Sequence, residues 1–454
     1  MTLIEEALKS TTDTKACVIG PGAAESVAGM FRAIFPGASK AVVIDDPRTK
    51  AAAGRRVAEV LESAGVAVAE HVVNPDGTEF HATYDKVDEV RGAIAGAGGA
   101  VPVAVGSGVI NDLVKRASDE LGTRYMVVGT AASMDGYTAY GASITKDGMK
   151  QTMDCRAPLG CIVDSAVAAA APGEMTASGY ADLIAKVPAG ADWIIADAVG
   201  AEKIHPLAWK LVQKPLRDAL SNPSGCASGD EREVRKLCEG LVMSGFAMQA
   251  MGSSRPASGT EHQVSHYWDM EDLSLNGRPV SHGFKVGIGT LASTAALEFL
   301  LERDVSAIDS DAIAAKWPEN FELVKATFPA VFPGRPAHVR RAEMEFAKKF
   351  PSREALRREL AAVRDNWDGL SAKIRAQLMP LSEVAEKLKA VGAPTEPEQI
   401  GVTRARFRET FVGVPFMRSR YFGADLVQRL GLMPALLDRL FGVGGVWPED
   451  QTVA

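Results

Sequence analysis

The stretch Val103–Lys115, VAVGSGVINDLVK, decides how the chain is read. A short apolar run enters Gly106-Ser107-Gly108, and a helical pattern opens directly after it. A buried strand that turns through glycine into a helix is the repeating unit of a parallel α/β sheet. Glycine lets a backbone approach a phosphate closely, and a helix start offers N–H donors and a favourable dipole. The same rhythm extends to both sides. Strand-like runs at 15–20, 40–45, 66–73, 101–105 and 125–128 alternate with helical runs at 24–35, 51–64, 85–97 and 111–121. Residues 1–165 are therefore expected to form a nucleotide-binding α/β domain. Beyond 166 strand-like runs nearly vanish, so 166–454 is expected to be an all-α domain that carries metal and substrate.

Composition narrows the class. The 454 residues include 50 basic and 57 acidic side chains, for a net charge of −7, and 46% are hydrophobic. That apolar content excludes a disordered chain, and the absence of a basic block argues against nucleic acid as a partner. Five cysteines, odd in number and without a CxxC pair, fit a reducing compartment. No signal-peptide pattern and no uninterrupted apolar run of about 20 residues is read, so the expectation is a cytoplasmic protein with no membrane partner.

Three further strand ends carry candidate chemistry. Gly20-Pro21-Gly22 reads as a plain strand-to-helix turn, because Glu25 stands where a dinucleotide fingerprint has its third glycine. Asp45 and Asp46 end the second strand. An acid there accepts from an adenosine ribose and repels a 2′-phosphate, or simply forms a turn before Pro47. The segment Val128–Tyr137, VGTAASMDGY, offers Thr130, Ser133 and Asp135 at the next strand end. Asp135 either accepts from a ribose or substrate hydroxyl or caps its own loop.

Histidine is scarce, yet three of the seven fall within 21 residues, at His262, His266 and His282. His262 and His266 are four apart and share a helix face. His282 is far enough along to return on a neighbouring helix. Asp182, in SGYADLIAK, is a carboxylate early in a small, apolar helix. One acid with two imidazoles leaves a divalent ion with open positions, which suits catalysis. The competing reading pairs Asp182 with Lys186 and buries His262 as a core residue.

These residues resemble a known family. GSGVINDLVK at 106–115, TAASMDGYTAYGAS at 130–143, SGYADLIAKVPAGADW at 178–193, GSSRPASGTEHQVSH at 252–266 and SHGFKVGIGT at 281–290 are similar to glycerol-1-phosphate dehydrogenases. These belong to the iron-containing alcohol dehydrogenase / dehydroquinate synthase-like superfamily, and the bacterial branch fits best. The resemblance implies a Rossmann-like domain followed by a helical one. It implies Asp182, His262 and His282 as metal ligands, with zinc first and nickel or iron as alternatives. It implies Gly106, Ser107, Gly108 and Asp112 at the pyrophosphate of NAD(H) or NADP(H), and Thr130 and Ser133 at its nicotinamide and ribose. Asp135 and His266 fall where the family meets substrate. The implied reaction is reversible reduction of dihydroxyacetone phosphate to sn-glycerol 1-phosphate, by a homodimer or higher oligomer. A polyol or glycerol dehydrogenase, or a dehydroquinate synthase-type lyase, are the alternatives. For the substrate phosphate, Arg255, Lys150 and Lys285 are candidate cations, while Arg418 and Arg420 read as structural.

Overall fold

The computed structural model describes residues 2–146 and 149–449. Six strands form one parallel sheet: β1 (Ala16–Gly20), β2 (Lys40–Asp45), β3 (Ala67–Val72), β4 (Val101–Gly106), β5 (Met126–Gly129) and β8 (Gly160–Asp164), in the order β1-β8-β5-β4-β2-β3. Every residue of β4, β5 and β8 is buried. Strands covered on both faces need such unbroken apolar runs, and VPVAVG, MVVG and GCIVD supply them. The order reverses between β2 and β4, which pair from Ala41↔Val101 to Ile44↔Ala104. Ligands of open α/β sheets sit at the carboxyl ends of strands at such a reversal. Here those ends are Asp45 and Gly106.

Three differences from the sequence reading concern this unit. Strand β8 and the antiparallel hairpin of β6 (Ala142–Lys146) and β7 (Met149–Met153) were not anticipated. Both strands of the hairpin are short and rich in Ser, Thr, Lys and Gln, so they lack an apolar signature. The helical run at 51–64 is longer and irregular. It starts with Pro47–Thr49, passes through a π-helical turn at Lys50–Gly54, and continues as Arg55–Ser63. Asp46 caps it by accepting from the N–H groups of Arg48 and Thr49 at 2.8 and 3.0 Å.

The chain forms two compact units, and the division does not fall at residue 165. The first comprises Met1–Leu183, Pro206–Ala257 and Ala390–Gly392. The second comprises Ile184–His205, Ser258–Lys389 and Ala393–Ala454. The helices Pro206–Ala219 and Glu231–Met251 join the sheet unit for packing reasons. A Cβ on Gly240 would lie 2.7 Å from Leu183, and Gln249 accepts from the backbone N–H groups of Asp13 and Thr14.

The second unit is helical. The charged run from 353 to 377 forms two helices, Arg353–Asp365 and Trp367–Gln377, with Asn366 between them. Phe328, Phe346 and Phe416 form an aromatic core, with ring centroids 4.9–6.4 Å apart. The helix His282–Leu301 bears on the reading of apolar runs. By length and mean hydropathy (1.4) it would cross a membrane, but 89% of that window is buried inside the protein. Lys285 and Glu298 interrupt the run, so a search for unbroken apolar stretches passes over it. Its neighbours are other helices, as for a core helix.

Candidate active site

The turn expected to meet a nucleotide follows β4. A Cβ on Gly106 would sit 2.7 Å from Ile110, so only glycine permits this tight entry into the helix Gly108–Glu120. Ser107 is the N-cap, in extended conformation, and its side chain makes no capping bond. The helix therefore presents its first N–H groups to a ligand, an arrangement that fits a pyrophosphate. Thr130, buried, follows β5 and donates its N–H to Gly106 O at 3.1 Å. Ser133 lies on the same loop, onto which the helix Gly173–Ile184 packs. A Cβ on Gly179 would lie 1.9 Å from Ala132 O.

Two expected cofactor residues are placed differently. Asp112 sits a turn into its helix and accepts from the N–H of Ser143 at 3.1 Å, so it secures the hairpin. Asp45 is 1% exposed, and a Cβ on Gly54 would touch its Oδ2. The π turn folds over the strand end and covers the carboxyl, so a ribose contact would require that turn to move. Neither Asp45 oxygen has a hydrogen-bond partner among the described residues. Desolvation pushes its pKa up to about 7, with Glu70 and Asp46 adding and Lys50 opposing.

The sign of the resulting stability effect is fixed. The unfolded chain ionises this group near its ordinary value of 3.8 and the folded chain only near 7. Stability therefore falls as pH rises through that window. Asp45→Asn should match the parent near pH 4 and exceed it by roughly 1–3 kcal/mol above pH 7. Thermal unfolding at both pH values checks this, and a pH-independent difference would reject it.

The metal side begins at Asp182, which is fully buried. It lies near the end of its helix, not early in it, because the helix starts at Gly173. Its Oδ2 accepts the N–H of Asp135 at 3.1 Å. The Asp135 carboxylate accepts in turn from Ser244 Oγ at 2.8 Å. His262 is in the first turn of the helix Thr260–Asp269, and His282 opens the helix His282–Leu301. One ligand atom from each of Asp182, His262 and His282 lies within 4.8 Å of the others. The two imidazole centroids are 5.4 Å apart. Ligand bonds to zinc run about 2.0–2.2 Å, so the three atoms surround a space for one ion.

Sequence reading missed the residue beside His262. Glu261 is fully buried, and its Oε1 lies 2.8 Å from His262 Nδ1. A carboxylate on one ring nitrogen orients the other toward a metal and raises its basicity. This second carboxylate is the best test that the donor set fits an ion. The signal was the Glu-His pair itself, overlooked because adjacent helical residues point apart and the bond is made by a rotated ring. Glu261→Gln should weaken metal binding about 10–100-fold in a chelator competition. Unchanged affinity would remove Glu261 from the site.

Asp192 was also missed. It is fully buried and accepts from Thr260 N at 2.6 Å and Gly423 N at 2.8 Å, so it clamps the start of the 260–269 helix. A Cβ on Gly259 or Gly423 would run into its oxygens at 2.6–2.7 Å. His266 is four residues beyond His262, with ring centroids 6.4 Å apart. Its Nδ1 lies 3.7 Å from Asp269, which also binds Lys285. Burial lowers its pKa to about 4 against the pull of Asp269. The side chain keeps 40% of its surface, which tempers the drop, and the imidazole is neutral at pH 7 either way.

Known proteins are similar to this chain. A family model described as iron-containing alcohol dehydrogenase matches residues 18–172. The chain is 29% identical over 408 residues to glycerol-1-phosphate dehydrogenase (NAD(P)+) of Bacillus licheniformis, covering 90% of this chain and 87% of that protein. It is 31% identical over 274 residues to glycerol-1-phosphate dehydrogenase (NAD(P)+) of Methanosarcina acetivorans, covering 60% of this chain and 74% of that protein. The chain belongs to the glycerol-1-phosphate dehydrogenase family. With other bacterial relatives of that name the match spans 62–63% of their length. A probable glycerol dehydrogenase from Sinorhizobium meliloti 1021 shares the fold, with a TM-score of 0.58 at 14% identity over 94% of this chain and 97% of that one. Family membership makes this an NAD(P)-dependent oxidoreductase, and the Asp182/His262/His282 cluster has donors and spacing that fit a divalent metal.

Proposed function

We propose that this protein reduces dihydroxyacetone phosphate to sn-glycerol 1-phosphate, reversibly, with NADH or NADPH. The single observation that carries the reading is the Asp182/His262/His282 cluster in a chain of this family. Zinc suits a set of one carboxylate and two imidazoles, and nickel and iron suit it as well. When bound, the ion supplies Lewis-acid polarisation of a carbonyl and the nicotinamide supplies hydride.

The chain's own residues do the rest. Asp182, His262 and His282 hold the ion, and Glu261 orients His262. The turn at Gly106–Gly108 receives the pyrophosphate, and Thr130 and Ser133 line the nicotinamide side. Asp135, fixed by Ser244, accepts from a substrate hydroxyl. His266 is neutral at pH 7, with Nδ1 toward Asp269. Its Nε2 takes a proton in the oxidation direction and passes one in the reduction direction. Five free thiols support a reducing cytoplasmic setting, and a dimer or larger homo-oligomer is the expected assembly.

The test is a spectrophotometric screen of enzyme loaded with Zn, Ni or Fe. NADH and NADPH are each offered with small ketones, with and without phosphate. Oxidation with dihydroxyacetone phosphate is expected. Turnover of glycerol with NAD+, and none of glycerol 1-phosphate, would overturn the reading in favour of a polyol dehydrogenase.

A further inference from the structure

The helix Thr260–Asp269, which carries His262, starts without a cap of its own. Its N-cap is Gly259, in extended conformation, and glycine has no side chain to accept from the first N–H groups. Those groups have no partner within the helix, and where they are buried they need an acceptor from outside it. Here the acceptor comes from another helix. Asp192 lies midway along Lys186–Ala198 and is fully buried. Its Oδ2 accepts from the N–H of Thr260, the first residue of the His262 helix, at 2.6 Å. Its Oδ1 accepts from the N–H of Gly423, the first residue of the helix Gly423–Arg429, at 2.8 Å. One carboxylate thus caps two helix starts, 68 and 231 residues away along the chain.

Both glycines are fitted to this carboxylate. A Cβ on Gly259 would lie 2.6 Å from Oδ2, and one on Gly423 would lie 2.7 Å from Oδ1. An ordinary capping residue at 259, such as Ser or Asp, would collide with the remote cap. A carboxylate suits the place, because its bonds to N–H are charge-assisted and the start of a helix favours a negative group. What this controls is an imidazole. His262 is the third residue of its helix, inside the first turn, which loosens when a cap is lost. Glu261 adds a second route from the helix start to the ring. Its Oε1 accepts from Gly259 N at 2.6 Å and lies 2.8 Å from His262 Nδ1.

We infer that Asp192 is a positioning residue for the metal centre: it fixes the first turn that presents His262, and it ties that turn to the chain at Gly423. The inference rests on the reading of Asp182, His262 and His282 as metal ligands. It makes the placement of one ligand depend on a segment, around residue 423, that holds none of them. The role is exercised through backbone N–H groups and not by ligation.

The test uses full-length protein with Co(II) as the probe metal. Chelator competition reads Co(II) affinity, the visible absorption of bound Co(II) reads ligand geometry, and thermal unfolding is followed alongside. Asp192→Ala should lower Co(II) affinity about 10–100-fold and alter the visible band. Asp192→Asn keeps one acceptor oxygen and should lose less, and it serves as the measurement if Asp192→Ala does not fold. Gly423→Ala presses a methyl group against Oδ1 and should cost affinity several-fold. In the Asp192→Ala background that methyl meets no carboxylate and should cost nothing further, a non-additivity that independent sites do not show. Phe346→Leu, in the aromatic core of the same unit, is the stability control. Its melting temperature should fall while Co(II) affinity and the visible band stay as in wild type. Wild-type affinity and band in both Asp192 variants would overturn the inference. So would a loss in Phe346→Leu as large as in Asp192→Ala, because metal binding would then follow stability alone. An additive double variant, or Gly423→Ala at wild-type affinity, would overturn the tie to residue 423. Wild type that binds no Co(II) would overturn the metal reading itself, and this inference with it.

Discussion

His262→Ala should lose its metal and about three orders of magnitude in turnover while remaining folded. The ring is one of the three ligands proposed in the Asp182/His262/His282 cluster, and two ligands hold a divalent ion poorly. Lewis-acid stabilisation of a developing alkoxide is worth several kcal/mol, and each 1.4 kcal/mol is tenfold in rate. Elemental analysis of the purified variant and an NADH assay measure the two losses separately. Folding should survive because the helix start is held elsewhere, by Asp192 on the N–H of Thr260. Metal retained at wild-type stoichiometry would mean that the cluster is not the metal site. Metal lost with turnover intact would mean that the ion is structural.

Much of this was legible before any coordinates. Short apolar, β-branched runs marked five of the six sheet strands, and in β4 and β5, buried on both faces, the run is unbroken. β8 and the 142–153 hairpin escaped, the hairpin because its strands are polar. The clustering of Asp182, His262 and His282 was legible because histidine is rare here and three of the seven fall close together. What sequence could not show is direction. Asp45 ends its strand as expected, yet a π turn covers it. Asp112 is on the right helix, yet a turn too far along, where it holds Ser143. Asp192 acts on Thr260 and Gly423, remote from it in sequence, and Glu261 on the ring of its own chain neighbour. No periodicity reports such contacts.

Gly289→Ala should be the most damaging small substitution in the helical unit. In the helix His282–Leu301, residue 289 is seven beyond His282, two turns along the same face. A Cβ there would lie 2.4 Å from Glu261 O and 3.0 Å from Glu261 Cα. These are backbone atoms of the helix that carries His262, so no rotamer change relieves the clash and the two helices must separate. The separation acts directly on the distance between the imidazoles. A loss of about 1–3 kcal/mol in stability is expected from the overpacking, with metal affinity at least tenfold lower. Gly369→Ala is the control. Gly369 also lies inside a helix, Trp367–Gln377, but a Cβ there meets nothing within 4 Å. Alanine is the better helix former, so this variant should be neutral or up to about 1 kcal/mol more stable, with unchanged metal binding. Urea unfolding and chelator competition on both variants decide the matter. If Gly289→Ala behaves like Gly369→Ala, the close approach of the two helices does not set the metal geometry.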